Sequence, residues 1–127
     1  MTKKILVVDD ERHIVHRIKE GLERDGYEVV TAFDGVEALK KVKSESPDMI
    51  IIDTMMPRMD GHQTIVRLRS SPETENTPVI TLSNKGDVDR QFVRRLLDLV
   101  MLLFDKLESD ETTPVTVEVA PATTHKD

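Results

Sequence analysis

The sequence predicts an α/β protein built on a parallel sheet, and three observations carry that reading. Short apolar runs alternate four times with longer stretches of helical periodicity, the pattern of βαβ units. Two of the runs, KILVV from Lys4 to Val8 and MIII from Met49 to Ile52, are continuously apolar from Ile5 and from Met49 onward, as strands covered on both faces are. Three of the four runs end in a reactive side chain: Asp9-Asp10, Asp53 and Ser83.

Taken in order, Lys4–Val8 is the first strand, closed by Asp9 and Asp10. From Glu11 to Arg24 the residues Ile14, Val15, Ile18 and Leu22 recur at helical spacing, and Asp25-Gly26 is the stop. Tyr27 to Ala32 is a second strand, and Asp34-Gly35 a turn. Val36 to Ser44 is a second helix with Val36, Leu39 and Val42 inward, broken at Glu45-Ser46-Pro47. Met49 to Ile52 is the third strand. Gly61 to Arg69 is a third helix with Ile65 and Leu68 inward, and Pro78 to Leu82 a fourth strand. Such alternation implies right-handed crossovers and helices on both faces of the sheet.

The chain has 127 residues, one domain's worth, long enough to bury a core. Its 24 acids against 18 bases leave a net charge of −6, which argues against direct nucleic-acid binding. Without cysteine there is no disulfide framework or thiolate chemistry. Apolar runs are too short for a signal peptide or a membrane span, the longest being Leu99 to Phe104. The expectation is a cytoplasmic protein that does not enter membranes.

In a parallel α/β sheet the ligand sits beyond the carboxyl ends of the strands. Asp53 is carried to that edge by a strand too apolar to lie anywhere but the core, and Asp9 and Asp10 arrive there from the first strand. Neighbouring strands lie about 4.8 Å apart, so these carboxylates would crowd and repel. A divalent cation, Mg²⁺ or Mn²⁺, resolves the conflict. A carboxylate beside it can then attack phosphorus. Taken singly, each acid is as readily a helix cap or turn former, Asp10 at the start of the first helix especially; convergence of three favours a site. Ser83 alone reads as a turn cap and Lys85 as a solvated turn lysine. His13 and His16 are surface histidines at a spacing that could touch a metal, and Met55, Met56 and Met59 are packing or turn residues.

The stretches KILVVDDE, IIDTMMPRMDG and TPVITLSNKG resemble the receiver domain of two-component response regulators, over about residues 3 to 90. The resemblance implies a flavodoxin-like, doubly wound sheet of five parallel strands with five helices. It implies that Asp53 accepts a phosphoryl group from a sensor histidine kinase or phosphotransfer protein. Asp9, Asp10 and the backbone carbonyl of Met55 would complete an Mg²⁺ site with Asp53. Ser83 would hydrogen-bond the phosphoryl oxygen, and Pro57 and Gly61 would shape the turn after the acceptor strand.

Beyond residue 90 the pattern departs from that family. No Lys-Pro occurs anywhere, and Lys106 is the cation nearest to where the site lysine belongs. Either a fourth helix ends near Asp98 and Val100 to Phe104 is the fifth strand, or one helix runs from about Asp87 to Glu108. The second alternative rests on two stripes, Phe92, Leu96, Leu99, Leu103, Leu107 and Val93, Leu97, Val100, Phe104, opposite Asp87, Gln91, Arg94, Asp98 and Asp105. That apolar face is wide. It serves either as the core of one monomer or, through residues 87–108, partly as a homodimer contact. The expected organisation is therefore a receiver domain over 1–108, divergent from 91, with its fifth strand and last helix altered or replaced by the long helix. A tail follows over 109–127, in which PVTVEVAP alternates like a strand that either joins a sheet edge or stays in solvent.

The leading functional expectation is a Mg²⁺-dependent phosphoacceptor, not an enzyme beyond slow loss of its own phosphoryl group. The alternative is a degenerate receiver acting as a constitutive dimerisation or docking module. A phosphatase with Asp53 as nucleophile would want a second acid two residues on, where Met55 stands.

Overall fold

A computed structural model describes residues 2–54, 56, 61–82, 88–109 and 116–120, the side chains of 107–109 excepted. Five strands, β1 (Lys4–Val8), β2 (Glu28–Ala32), β3 (Met49–Asp53), β4 (Val79–Leu82) and β5 (Thr116–Val119), alternate with four helices. These are α1 (Arg12–Arg24), α2 (Gly35–Glu45), α3 (Gly61–Arg69) and α4 (Arg90–Ser109). The strands form one parallel sheet in the order β2-β1-β3-β4-β5. This is the flavodoxin-like, doubly wound order, with β1 and β3 side by side at the reversal of direction.

The core is two layers, one on each face of the sheet. On one face Ile5, Val7, Met49, Ile51, Ile80 and Leu82 meet Ile14, Val15, Ile18 and Leu22 of α1 and Phe92, Leu96, Val100, Leu103 and Phe104 of α4. On the other, Leu6, Val8, Ile50, Ile52 and Val79 meet Ala38 and Val42 of α2 and Leu68 of α3. Period-two alternation in the strands sends neighbours to opposite layers, which is why Ile5–Val8 of β1 and Met49–Ile52 of β3 are all apolar.

Local signals set the element ends. Asp34 caps α2 by accepting from the Glu37 N–H (2.8 Å), and the Glu37 carboxylate accepts from the Phe33 N–H (2.9 Å), a close relative of the capping box. The helix closes at Ser46, whose left-handed backbone (φ 48°) lets its N–H reach the Val42 carbonyl. At α1 the capping differs from expectation. Asp9, not Asp10, turns its carboxylate to the Glu11 N–H (3.0 Å), and Glu11 occupies the cap position without capping the helix through its side chain.

Of the two alternatives for residues 91–108, the unbroken helix is found; 100–104 is not a strand. The fifth strand comes from the tail instead, Thr116–Val119 pairing parallel to β4. Its register explains its alternation. Val117 and Val119 turn toward the α1–α4 layer, whereas Thr116 and Glu118 are exposed.

One topological expectation is overturned. The β1-α1-β2, β2-α2-β3 and β3-α3-β4 units share one hand, with leftward steps covered on one face and rightward steps on the other. The rightward step from β4 to β5 is covered by α4 on the α1 face, so this unit has the opposite, left-handed sense. Right-handed crossovers make up ~98% of cases, a preference of about 2 kcal/mol if read as a population. Burying the five large apolar side chains of α4 contributes on the order of 10 kcal/mol at ~1.5–3 kcal/mol each. With four helices, a second one beside α1 is what covers Met49, Ile51, Ile80 and Leu82, and that burial outweighs the handedness preference.

Helices α1 and α4 come very close. A Cβ on Gly21 would lie 2.7 Å from Val93 Cγ1, so glycine is what lets the two backbones approach.

Candidate functional site

The site is assembled by adjacency at the carboxyl edge. Val8 pairs with Ile52, so the residues that follow, Asp9 and Asp53, leave neighbouring strands at the same level. One carboxylate oxygen from each of Asp9, Asp10 and Asp53 lies within 4.8 Å of the others. Asp53 is fully buried, Asp9 is 1% exposed and Asp10 is open to solvent. The three sequence-predicted acids are thus brought together, two at the bottom of the site and one at its mouth. Among the described residues this is the one cluster of three or more His, Cys, Asp or Glu side chains able to hold a metal ion. The donor set is all hard oxygen, which fits Mg²⁺ or Mn²⁺ and not a softer metal.

The surrounding backbone is held rigidly. The Asp9 N–H donates to the Ala32 carbonyl (3.2 Å). Thr54 closes the end of β3 by giving both its N–H (3.2 Å) and its hydroxyl (3.4 Å) to the Leu82 carbonyl. Gly61 opens α3 directly against the end of β3. A Cβ there would stand 2.3 Å from the Asp53 carbonyl oxygen and 2.5 Å from the Thr54 Cα, inside backbone that cannot give way. The sequence marked Gly61 as a turn residue; the structure makes it a contact point under Asp53. Nothing in the sequence pointed to Thr54. At the mouth, the Arg12 guanidinium lies over the Phe33 ring, 4.2 Å from its centre.

Met55 and Ser83, and Pro57 with them, lie outside the described residues. Lys106 is not brought to the site. Helix α4 runs from the carboxyl edge of the sheet back to the edge where the strands begin. There Phe104 packs on Tyr27 (ring centres 5.7 Å apart) and under Lys3 Nζ. Asp105 is close enough to help raise the Tyr27 phenol above its ordinary pKa, burial being the larger cause. Lys106 follows on that same turn, the length of the sheet away from Asp53. His13 and His16 are exposed on α1, His13 beside Glu11 (3.6 Å).

A flavodoxin-like sheet with two acids after β1 and a third at the end of β3 defines a receiver domain. The chain belongs to the response regulator receiver domain family, whose model matches residues 5–104, reaching well into α4. Among curated proteins it is 47% identical over 87 residues to the alkaline phosphatase synthesis transcriptional regulatory protein PhoP of Bacillus subtilis. That match covers 68% of this chain and 35% of PhoP. It is 40% identical over 82 residues to protein PilG of Pseudomonas aeruginosa, covering 65% of this chain and 61% of PilG. The matched stretch is thus under two thirds of either relative's length. Among solved structures, the signal receiver domain of a histidine kinase from Syntrophus aciditrophicus superposes with a TM-score of 0.75 at 27% identity. It covers 88% of this chain and 97% of that one. Among the described residues, no helix is long and apolar enough to cross a membrane.

Proposed function

We propose that this receiver domain takes up a phosphoryl group on Asp53 from the phosphohistidine of a sensor kinase or phosphotransfer protein. The observation that carries the reading is the meeting of Asp9, Asp10 and Asp53 within 4.8 Å at the edge where β1 and β3 end. In the transfer a carboxylate oxygen of Asp53 forms the new O–P bond. The P–N bond to the donor breaks in line, and its electron pair stays on the imidazole. Asp9 and Asp10, with the Met55 carbonyl, would hold Mg²⁺ beside Asp53. When bound, the ion neutralises crowded carboxylates and spreads charge on the phosphoryl oxygens. The Asp9 bond to the Glu11 N–H and the Thr54 bonds to β4 keep these groups from relaxing apart. Ser83 hydrogen-bonds the phosphoryl group once it is in place.

Lys106 has no part in this scheme. Its placement is the observation that favours a second reading, a docking module that holds the metal without being phosphorylated. One experiment separates the two: incubation with Mg²⁺ and acetyl phosphate or a beryllofluoride mimic, read by intact mass and by fluorine resonance. The first reading expects one adduct on the wild type and none on Asp53→Asn. Metal binding without an adduct would establish the second.

A further inference from the structure

We propose that Ala120, the residue with which β5 reaches the carboxyl edge of the sheet, is the position that limits how tightly the acidic site holds a phosphoryl group. The proposal rests on the phosphoacceptor reading of Asp53 and adds a residue to that site. Strand pairing puts it there. Asp53 is level with Leu82 on β4, and Leu82 is level with Val119 on β5. All three strands run the same way, so the residue after Val119 leaves the sheet at the edge where Asp9, Asp10 and Asp53 meet. The ends of β3 and β5 are two strand spacings of about 4.8 Å apart. Ala120 is exposed there and carries no charge. Because the fifth strand comes from the tail, position 120 and not position 106 is level with the site.

Charge makes that position matter. A phosphoryl group on Asp53 would carry about two negative charges near neutral pH and would stand beside the carboxylates of Asp9 and Asp10. One divalent cation offsets only part of this. Glu118, exposed on the same strand, and Glu11, Asp34 and Asp89, just before α1, α2 and α4, add to the negative side. The arginines that α1 and α4 carry near this edge are directed elsewhere. Arg12 lies over Phe33, which follows β2, on the far side of β1 from Asp53. Arg17 donates to the Val88 carbonyl (2.8 Å), and Arg90 lines the groove between α1 and α4. A lysine at position 120, on its flexible four-carbon stem, would reach toward the phosphoryl oxygens across the end of β4. The methyl group of alanine does not.

The test is titration of the whole chain with the beryllofluoride mimic in Mg²⁺, read by fluorine resonance. The samples are the wild type, Asp53→Asn, Ala120→Lys, Ala120→Gln and Leu102→Lys, the last an exposed position on α4. Ala120→Lys should hold the mimic at least about tenfold more tightly than the wild type, as a hydrogen bond from a charged donor would provide. Ala120→Gln, long but uncharged, should fall well short of it, and Leu102→Lys should match the wild type. Urea unfolding without Mg²⁺ is the second readout. Ala120→Lys should unfold at higher urea than Leu102→Lys, because only the first sets a cation near the buried acids. Equal hold on the mimic by these two variants would overturn the proposal, and would leave the phosphoacceptor reading standing if Asp53→Asn alone takes up none. An adduct on Ala120→Lys but not on the wild type would uphold the proposal and make the natural chain the docking module. No adduct on either would overturn proposal and reading together. A urea midpoint no higher for Ala120→Lys than for Leu102→Lys would place position 120 away from the acids and overturn the proposal by itself.

Discussion

At the scale of single residues, the site depends on small atoms in tight places. Gly61 is the clearest case, because the start of α3 rests on the backbone of Asp53 and Thr54 with no space for a side chain. Gly61→Ala is expected to push α3 and β3 apart, costing about 1–3 kcal/mol of stability and slowing uptake of the phosphoryl mimic more than a surface variant such as Val66→Ala. Urea unfolding and adduct formation on the same samples check both parts. Glycine appears in the sequence as a turn signal; that it touches β3 depends on which residues fold up beneath it. The acids were legible in a different way. A carboxylate closing a strand of isoleucines has few places to go, and both strands lead to one edge. Lys106 misled because counting along the chain assumes that the fourth helix ends near Asp98 and a strand then returns to the site, whereas α4 runs on to Ser109 and leads away from it.

At the scale of elements, α3 and β5 are joined by one side chain. The Arg69 guanidinium donates to the carbonyls of Thr74 (3.2 Å), Glu75 (3.1 Å) and Thr77 (2.7 Å) and to the Thr116 hydroxyl (3.0 Å). It is half-buried, and desolvation lowers its pKa from the usual guanidinium value without threatening its charge near neutrality. Arg69→Ala is expected to cost about 1.5–3 kcal/mol, the range for hydrogen bonds to a charged group. It should also speed hydrogen exchange at β5 more than at β1. Arg69→Lys should recover only part, since an ammonium cannot span the same set of acceptors. The strands and the first three helices were readable because period and capping are local. The sense of the β4-α4-β5 unit was not, because it is decided by which sheet face still lacks a cover.

At the scale of the whole molecule, the proposed ion site would link folding to ion binding through the same three acids. Drawing Asp9 and Asp53 out of water next to Asp10 costs stability that a bound cation would restore. Mg²⁺ at about a hundred times its dissociation constant should stabilise the fold by about 2.7 kcal/mol, through preferential binding to the native state. A denaturant midpoint that rises with Mg²⁺ in the wild type, and much less in Asp10→Asn, checks this; equal shifts would place the ion elsewhere.

By itself the sequence determined the alternation of strands and helices, the four strands that bear the core and the three acids delivered to one edge. Each of these follows from which neighbours along the chain are apolar, and that pattern survives whatever the rest of the molecule does. Only the tertiary structure decided that α4 lies beside α1, that Thr116–Val119 completes the sheet, and that Lys106 stands far from Asp53. Those outcomes turn on burying one remaining sheet face, a quantity no local stretch of residues contains.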